Sequence, residues 1–285
     1  MDVRAALLRA GGVARYAELR AILTRTEIRS AVEGGYLIRV GQGRYALSEL
    51  DADRRAAASL SGALGGLSAA MFWGWKVKFP PDQPQVLVPL GRKVAPPRRS
   101  GIEVRWRDLP SDALDRGALG RIDTVLDCAK TLPFDAALAV VDSALRDGMS
   151  KSSLLIACQR TSQKGRARAL TVIELADERA DNPFESVLRA IVLDVPGATF
   201  EPQEWVGNVG RADLVDRERR IVVEADSFEF HSDADAMLRD MERYNGFLAE
   251  GYRVLRFGWK HAMFRPDYVR AAVAAAVATN GLQIS

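Results

Sequence analysis

Cysteine and histidine are both scarce in this chain. Its 285 residues include two cysteines, Cys128 and Cys158, and two histidines, His231 and His261. Each cysteine stands alone in a segment with a helical pattern, so the spacing of a zinc site or of a disulfide framework is lacking. We therefore expect both cysteines to be small buried apolar groups in a protein of the reducing cytoplasm.

Long hydrophobic runs are absent as well. No apolar stretch approaches the ~20 residues that cross a bilayer, and Asp2, Arg4 and Arg9 interrupt the region where a signal peptide would have its apolar core. These absences predict a soluble, intracellular protein with no membrane partner. The net charge of +3 permits binding to nucleic acid without requiring it, and the length is enough for two or three domains.

Acidic residues are concentrated on a predicted β-hairpin near the C-terminus. In GRADLVDRERRIVVEADSFEFH, apolar runs flank the acids and DRER supplies a turn. A four-residue loop that begins at Asp216 would set Asp213 opposite Val222, on the same face as Glu224 and Asp226. Carboxylates this close repel one another, and their hard oxygen ligands favour Mg²⁺ or Mn²⁺ over zinc. The alternatives are solvated acids at strand ends, or a different loop length that turns the acids to the other face.

The spacing of these acids resembles the core of the PD-(D/E)xK nucleases, in which an Asp on one strand is followed by a tight turn and an acid-x-acid pair. The E-x-D…H ending and the later GYRVLRF are similar to the very-short-patch mismatch endonucleases and their bacterial relatives, over about residues 181–276. The resemblance implies an α/β fold of the restriction-endonuclease type, with Asp213 and Glu224 as metal ligands. Asp226 stands where many of these enzymes carry Lys, and Ser227 where many have Gly, so the chain departs from the pattern at both positions.

Metal-assisted hydrolysis of a phosphodiester is the mechanism that this resemblance implies. The metal polarises a phosphoryl oxygen, and the resemblance assigns to His231 the activation of the attacking water. A neutral imidazole suits that role near neutral pH. His261, which follows RFGWK, is instead expected to open the last helix or to cap a strand.

Glu185 has two interpretations, which are compatible. In DNPFES, Asn182 is placed as an N-cap, Pro183 as the first helical residue and Glu185 three residues after the cap. That spacing favours a capping box in which Glu185 bonds back to the backbone of Asn182. Because the nuclease core often carries an acid on its first helix, the resemblance also allows Glu185 a catalytic place at the metal shell.

A helix is predicted for SDADAMLRDMERYNGFLAEG, followed by a buried strand, YRVLRFGW, and a closing helix, PDYVRAAVAAAVA. The apolar stripe of the first helix is formed by Met237, Met241, Tyr244 and Leu248. Arg239 and Arg243 share another face of it. These arginines either form local ion pairs with Asp240 or Glu242 on a solvated surface or grip phosphate beside the acids.

The N-terminal region predicts three short helices followed by two strands. The helices run from about Val3 to Ala10, from Tyr16 to Ile22 and from Thr24 to Gly34, and the strands are YLIRV and GRYAL, joined at GQG. Three helices and a β-wing form the winged helix-turn-helix pattern. The ending GYLIRVGQGRYAL resembles the winged helix of AbiEi-type abortive-infection antitoxins and related actinobacterial proteins.

Four arginines of this module are placed to contact DNA. Arg25 and Arg29 are one turn apart on the third helix, which would enter the major groove. Arg39 and Arg44 lie on the wing, where they would touch phosphate. In the alternative interpretation the arginines are plain surface charge, and the module packs against its own chain or a partner.

The middle of the chain shows no visible chemistry, although its layout resembles the second domain of the same antitoxin-like family. RRAAASLSGALGGLSAAMFWGW predicts a helix, PQVLVPL and IEVRWRDL predict strands, and a helical pair is split at Pro133. Asp123, Asp127 and Asp142 fall in helical settings, where exposure or capping explains them. The Pro-rich loop GRKVAPPRRSG is either a solvated linker or a contact to a DNA backbone. Its cations are Arg92, Lys93, Arg98 and Arg99.

Together these patterns predict an α/β multidomain chain. A winged helix-turn-helix would occupy residues 1–50, an α+β connecting domain 51–178 and a nuclease-like domain 179–285. The favoured function is metal-dependent cleavage of duplex DNA in repair, phage defence or a toxin–antitoxin setting, with a protein partner or a homodimer left open. The rivals are a DNA-binding regulator whose nuclease fold only binds, which the missing Lys favours, and an RNA endonuclease.

Overall fold

The computed structural model describes residues 4, 7, 12–226 and 234–280. The chain divides into two compact units: the first ends at Cys128 and the second begins at Ala129, except that Lys76–Lys78 belongs to the second. Helices and strands mix in both, which confirms the predicted α/β class. The division falls inside the predicted connecting domain, and the domain limits near residues 50 and 178 stay predictions. Within the described ranges, no helix combines the length and the apolar character needed to cross a membrane.

The first unit begins with a small antiparallel sheet and two helices. Its elements are β1 (Val13–Arg15), α1 (Tyr16–Ile22), α2 (Arg25–Glu33), β2 (Leu37–Gly41) and β3 (Arg44–Leu47), with strand order β1-β3-β2. Both helices and the two later strands lie where the sequence predicts them, whereas β1 has no counterpart in the sequence pattern. The helix predicted before residue 11 lies mostly outside the described residues, of which Arg4 and Leu7 are helical.

Local capping explains why α2 begins where it does. Thr24 Oγ1 accepts a hydrogen bond from Glu27 N–H at 3.2 Å, and the Glu27 carboxylate accepts from Thr24 N–H at 2.6 Å. This reciprocal cap satisfies backbone donors that a helix start leaves open. Ile28 then turns inward and packs with Leu19 and Leu37.

The Ala-rich segment that follows is not the single helix that its composition predicts. It forms α3 (Ala52–Leu60), a short strand β4 (Ala63–Leu64) and α4 (Gly66–Phe72). The reason is the close approach of its backbone to the next strand, since a Cβ on Gly62 would collide with the carbonyl oxygen of Leu87. Glycine permits that approach and interrupts the helix that the alanines favour.

A mixed sheet and two helices complete the first unit. Strand β5 (Gln85–Pro89) pairs antiparallel with β4 and parallel with β6 (Glu103–Arg107). Helices α5 (Ser111–Arg116) and α6 (Arg121–Thr131) follow, and α6 continues past the division between the units.

Helices α7 (Phe134–Arg146), α8 (Lys151–Gln159) and α9 (Arg166–Leu175) precede the predicted nuclease region, and the break expected at Pro133 is present. The remaining elements are α10 (Pro183–Val192), β7 (Glu201–Val206), β8 (Gly210–Asp216), β9 (Ile221–Asp226), α11 (Ala234–Ala249), β10 (Arg253–Gly258), α12 (Trp259–Phe264) and α13 (Pro266–Asn280). The sheet order is β10-β9-β8-β7, with β9 and β10 parallel and the other pairs antiparallel. Cys158 on α8 is buried, as is Cys128 in the first unit, which confirms that both cysteines are buried groups.

Two aspartates for which the sequence allows surface placement or capping are buried ion-pair partners, so surface placement is wrong, whereas Asp127 also accepts from Gly66 N–H at the start of α4. Asp127 accepts from Arg105 Nη2 at 3.2 Å and from Arg107 Nη1 at 2.9 Å. In the second unit, Asp142 pairs with Arg189 at 2.8 Å. Helical periodicity does not reveal which cation from a distant segment will meet an acid.

The acidic hairpin keeps its predicted loop length but shifts by one residue on each strand. Asp216 pairs with Ile221, so the loop is 217–220 rather than 216–219. The buried Asp216 carboxylate holds this turn by accepting from Arg219 N–H at 2.9 Å and from Thr199 N–H at 3.0 Å. Because both strands move together, the acids are still brought together, and Asp213 lies beside Glu224 rather than opposite Val222.

Two predictions about the surroundings of the hairpin need correction. Of the predicted stripe of α11, Met237, Met241 and Leu248 are exposed, with both methionines 46 % exposed, whereas Tyr244 packs against the core beside Phe247, the buried anchor of the helix. The strand expected to be buried, β10, lies at the edge of the sheet, where only Phe257 among its residues is buried. An edge strand has a neighbour on one side only, so its side chains are less covered.

Candidate active site

Glu185 lies at the start of α10 and is part of its cap. Asn182 Oδ1 accepts from Phe184 N–H at 2.9 Å and from Glu185 N–H at 3.1 Å, as an N-cap does. The back-bond of the predicted capping box reaches a different residue: Glu185 Oε2 accepts from Asp181 N–H at 2.8 Å, and Oε1 accepts from Asn182 Nδ2 at 2.6 Å. The Glu185 carboxylate is thereby buried and fixed.

Gln203 on β7 joins Glu185 to the hairpin, and no sequence signal marks it. Its Nε2 donates to Glu185 Oε2 at 2.9 Å and to Asp213 Oδ1 at 3.0 Å. Gln203 has a φ of +56°, a left-handed conformation that is uncommon for a residue other than glycine. It lies where the pairing of β7 with β8 is interrupted. Strain of this kind persists only where the surroundings hold it, and here it sets the amide between two carboxylates.

Asp213 and Glu224 lie side by side on the hairpin. Asp213 Oδ2 accepts from Ala225 N–H at 2.8 Å, and the charge of Asp213 is one of the causes that raise the pKa of Glu224. Glu224 is 2 % exposed, and its Oε1 is buried without a hydrogen-bond partner among the residues that the structure describes. An unmet buried carboxylate oxygen is unfavourable, which marks this atom as a candidate ligand for a cation.

Arg243 on α11 is the cation closest to these acids. Its Nη2 lies 2.6 Å from Glu224 Oε2, and the guanidinium lies 5.5 Å from the ring centre of Phe247. The predicted local ion pair with a neighbouring acid of the same helix is therefore not the contact that Arg243 makes. Arg239, one turn earlier, is exposed.

Asp226, two residues after Glu224 on β9, is paired with a cation of its own, and the predicted convergence of three hairpin carboxylates stays a prediction. Its Oδ2 lies 2.5 Å from Arg256 Nη2 of β10, and that guanidinium stacks on Tyr244 at 3.8 Å. The third acid of the cluster is Glu185, which comes from α10. We call Glu185, Asp213 and Glu224 the acid cluster.

Of the two histidines, the structure describes His261. His231, the predicted water-activating residue, lies outside the described residues, between β9 and α11. His261 lies in α12, and its Nδ1 accepts from Gly258 N–H at 3.2 Å. His261 thus caps a short helix, close to the role expected for it.

Burial raises the pKa of every member of the acid cluster, and repulsion from Asp213 adds to the rise for Glu185 and Glu224. Desolvation is the largest cause, and it raises the pKa of Glu185 to about 7 and that of Glu224 to about 7. The charge of Asp213 is the next cause for both, and burial also raises the pKa of Asp213 itself. Arg243 lowers the pKa of Glu224 and of Asp213, but its single charge does not offset the burial. A divalent cation would relieve such an excess of negative charge.

The donor set of the acid cluster suits a hard divalent cation. Carboxylate oxygens are the ligands that Mg²⁺ and Mn²⁺ prefer, and Glu224 Oε1 has no other partner. Within the part of the chain that the structure describes, no three His, Cys, Asp or Glu side chains are already arranged as a metal shell. The Gln203 amide and the Arg243 guanidinium hold the acids in the observed positions. The oxygen ligands are thus of the kind that such an ion takes, and the contacts of Gln203 and Arg243 are those with which it would compete.

We expect the stability of the metal-free protein to fall as the pH rises from about 4.5 to about 7. The folded pKa values of Glu185 and Glu224 are about 7, above the ordinary value of 4.5. In this interval the folded state binds more protons than the unfolded state, so acidification stabilises it. Glu224→Gln should flatten the dependence, whereas Glu218→Gln, on the exposed turn, should not. Urea unfolding with a chelator across this pH range measures the effect, and identical pH profiles for wild type and Glu224→Gln would contradict it.

The arginines predicted to contact DNA lie in the first unit. Arg25 and Arg29 are exposed on α2, and Arg39 is exposed on β2. Arg44, at the start of β3, is half-buried because the tip of the β2–β3 hairpin packs toward α3, where Gly41 approaches the carbonyl of Ser59. These arginines and the acid cluster therefore belong to different units.

Comparison with known proteins gives relatives that are themselves uncharacterized. No family profile matches the chain. It is similar to uncharacterized proteins of Mycobacterium tuberculosis strains CDC 1551 / Oshkosh and H37Rv, at 26 % identity over 244 residues that cover 82 % of this chain and 89 % of each relative. The crystal structure of the RV2827C protein from Mycobacterium tuberculosis covers 66 % of this chain and 78 % of its own, with 16 % identity and a TM-score of 0.34. That structural likeness is too weak to carry an argument, so function has to be argued from the residues of the site.

Proposed function

We propose that this protein is a metal-dependent endonuclease that hydrolyses phosphodiester bonds in DNA, with its catalytic site at the acid cluster. The observation that carries the proposal is the buried, unpartnered Oε1 of Glu224 beside Asp213 and Glu185. In an acid cluster that served stability alone, we would expect this oxygen to be paired, because an unmet buried acceptor costs about 1–3 kcal/mol. A divalent cation would satisfy the oxygen and lower the pKa of all members of the cluster.

The residues of the cluster have separate roles in this proposal. Asp213 and Glu224 would hold the ion, which when bound supplies Lewis acidity toward a phosphoryl oxygen. Gln203 keeps Glu185 and Asp213 oriented through one amide nitrogen. Arg243 is placed to donate to a phosphate oxygen of the substrate, since a guanidinium matches that geometry.

DNA is the favoured substrate because the described helices and strands at the start of the first unit follow the order that the sequence predicts for a winged helix. The helices α1 and α2 are followed by the antiparallel pair β2 and β3. Exposed Arg25 and Arg29 on α2, with Arg39 on β2, supply cations for a major groove and its phosphates. In this proposal the first unit binds the duplex and the second unit cleaves it.

A DNA-binding regulator that does not cleave is the second candidate, and specific contacts favour it. Glu224 Oε2 is already paired with Arg243, and one amide of Gln203 bridges Glu185 and Asp213. A guanidinium beside the acids partly replaces the charge that a metal would bring. The Asp226–Arg256 ion pair stands where the nuclease resemblance expects Lys.

Cleavage assays separate the two candidates. Purified protein is incubated with supercoiled plasmid, single-stranded DNA and RNA, in Mg²⁺, Mn²⁺ or a chelator. We expect plasmid cleavage only with metal and its loss in Asp213→Asn, which removes a charge with little change of shape. Asp194→Asn, on an exposed residue of the same unit, is the matched control and should cleave normally. Cleavage by Asp213→Asn would contradict the assigned site, DNA binding without cleavage would favour the regulator, and cleavage of RNA alone would favour an RNA endonuclease.

A further inference from the structure

A second candidate site lies in the first unit, apart from the acid cluster. A cleft of about 740 Å³ lies between β1, the start of β3, the end of α3 and α5. That volume falls within the range of roughly 300–1,000 Å³ that small-molecule sites occupy. The arginines that line it are Arg15, Arg44, Arg54, Arg92 and Arg116.

Two of these arginines are engaged by neighbours. Arg116 forms an ion pair with Asp112 at 2.9 Å, and the guanidinium of Arg54 lies 5.5 Å from the ring centre of Phe72. These contacts hold both side chains against the walls of the cleft. The other three arginines are therefore the cations that a ligand can contact.

Arg15, Arg44 and Arg92, which we call the arginine triad, form no ion pair among the residues that the structure describes. Arg15 and Arg92 are exposed and Arg44 is half-buried. The Arg92 Nη1 atom donates to the carbonyl oxygen of Leu60 at 3.3 Å, which brings no negative charge. A wall of the cleft therefore gathers guanidinium charge without a paired carboxylate.

The electrostatics of Arg44 reflect this crowding. Burial, followed by repulsion from Arg15 and Arg92, lowers the pKa of Arg44, while Glu18 acts in the opposite direction. The Glu18 carboxylate also accepts from Arg15 N–H at 2.7 Å as part of the start of α1. Guanidinium groups keep their charge at neutral pH, so the crowding is relieved by an anion rather than by loss of a proton.

Residues other than arginine also line the cleft. Ser61, which ends α3, has a φ of +54° and lines the cleft. This left-handed conformation is a common way for a helix to end. Asp112 and Asp115 of α5 also line the cleft. The cleft thus combines cations, which suit phosphate oxygens, with carboxylates, which suit hydroxyl or amino groups.

We propose that the arginine triad is a phosphate-binding site, which takes either a phosphodiester of a DNA backbone or the phosphate of a small phosphorylated molecule. Guanidinium forks match phosphate oxygens in geometry and charge. Arg44 lies at the tip of the β2–β3 hairpin, and Arg92 lies in the Pro-rich loop, so DNA along the hairpin would reach both. The DNA route rests on the proposed function, whereas the route with a small phosphorylated molecule does not. The site includes no residue of the acid cluster, and its test requires no metal and no cleavage.

Binding measurements with the full chain in a chelator test the site. The probes are inorganic pyrophosphate, followed by titration calorimetry, and a fluorescent DNA duplex, followed by anisotropy at several salt concentrations. The test variant is Arg15→Met with Arg92→Met. The control is Arg20→Met with Arg160→Met, which removes the same charge at exposed positions outside the cleft and outside the Pro-rich loop. All the replaced residues are exposed, and circular dichroism checks that both variants fold.

We expect the triad variant to bind at least one probe about tenfold more weakly than wild type, and the control variant to bind like wild type. Weaker DNA binding in the triad variant, with the control variant unchanged, supports the backbone route. Weaker pyrophosphate binding with unchanged DNA affinity supports the small phosphorylated ligand. The proposal is overturned if neither probe distinguishes the triad variant from the control. Because cleavage is not measured, each of these outcomes can be interpreted even if the acid cluster is inactive.

Discussion

Replacing Arg189 with Met should destabilise the second unit by about 3–5 kcal/mol. Arg189 Nη2 lies 2.8 Å from both carboxylate oxygens of Asp142, and Nη1 donates to the carbonyl oxygen of Leu175 at 2.6 Å. Asp142 is 0 % exposed and Arg189 is 4 % exposed. Without the guanidinium, Asp142 would keep only neutral donors such as Asp177 N–H, and the desolvation of its charge would no longer be offset.

Two further variants make this test specific. Combining Arg189→Met with Asp142→Asn should recover much of the loss, because Asn keeps an acceptor for Asp177 N–H but carries no charge. Arg160→Met, on an exposed residue of the same unit, should change stability by less than about 0.5 kcal/mol. Chemical denaturation followed by circular dichroism measures all three variants. A loss below about 1 kcal/mol for Arg189→Met would show that this ion pair does not stabilise the unit as argued.

His231→Ala should lower the cleavage rate by about a hundred- to ten-thousand-fold, the usual contribution of a general base. His231 follows Asp226 by five residues, and Asp226 ends β9, the strand that carries Glu224. Arg256 engages Asp226, so this acid is not available as the base. Affinity for duplex DNA and for Mn²⁺ should change little, because His231 is proposed to act on water.

The rate should be measured near pH 8, because the pKa values of Glu185 and Glu224 are about 7 and both acids should be ionised. The matched control is His261→Asn, which retains an acceptor for Gly258 N–H and should cleave normally. Normal cleavage by His231→Ala would mean that another group activates the water. A large fall in the melting temperature of His231→Ala would instead identify His231 as a core residue.

The short helices of the first unit could be predicted because their signals are local. Thr24 and Glu27, three residues apart, form the cap that begins α2, and a glycine follows its end. The structure of the Ala-rich segment could not be predicted in this way, because its composition favours a helix while its contact with Leu87 requires the glycine at Gly62. That contact joins segments far apart in the chain, so composition alone does not reveal it.

The acid cluster could be predicted only in part for the same reason. Alternation along a hairpin brings Asp213 and Glu224 together, and a common shift of both strands preserves that result. Gln203 and Arg243 reach these acids from another strand and a helix, and neither position has a periodic pattern. The partner of Asp226 likewise depends on β10, which follows α11 in the chain.

Titration of Mn²⁺ into the full chain by calorimetry tests the central claim most directly. We predict a saturable site in wild type that is retained in Asp194→Asn and lost in Asp213→Asn. Near pH 7, binding should release protons, because the pKa values of Glu185 and Glu224 are about 7 and a metal ligand must be deprotonated. Repeating the titration in buffers of different ionisation enthalpy measures that release. Mn²⁺ binding of equal strength in wild type and Asp213→Asn, or no binding in either, would contradict the assignment of the acid cluster as a metal site.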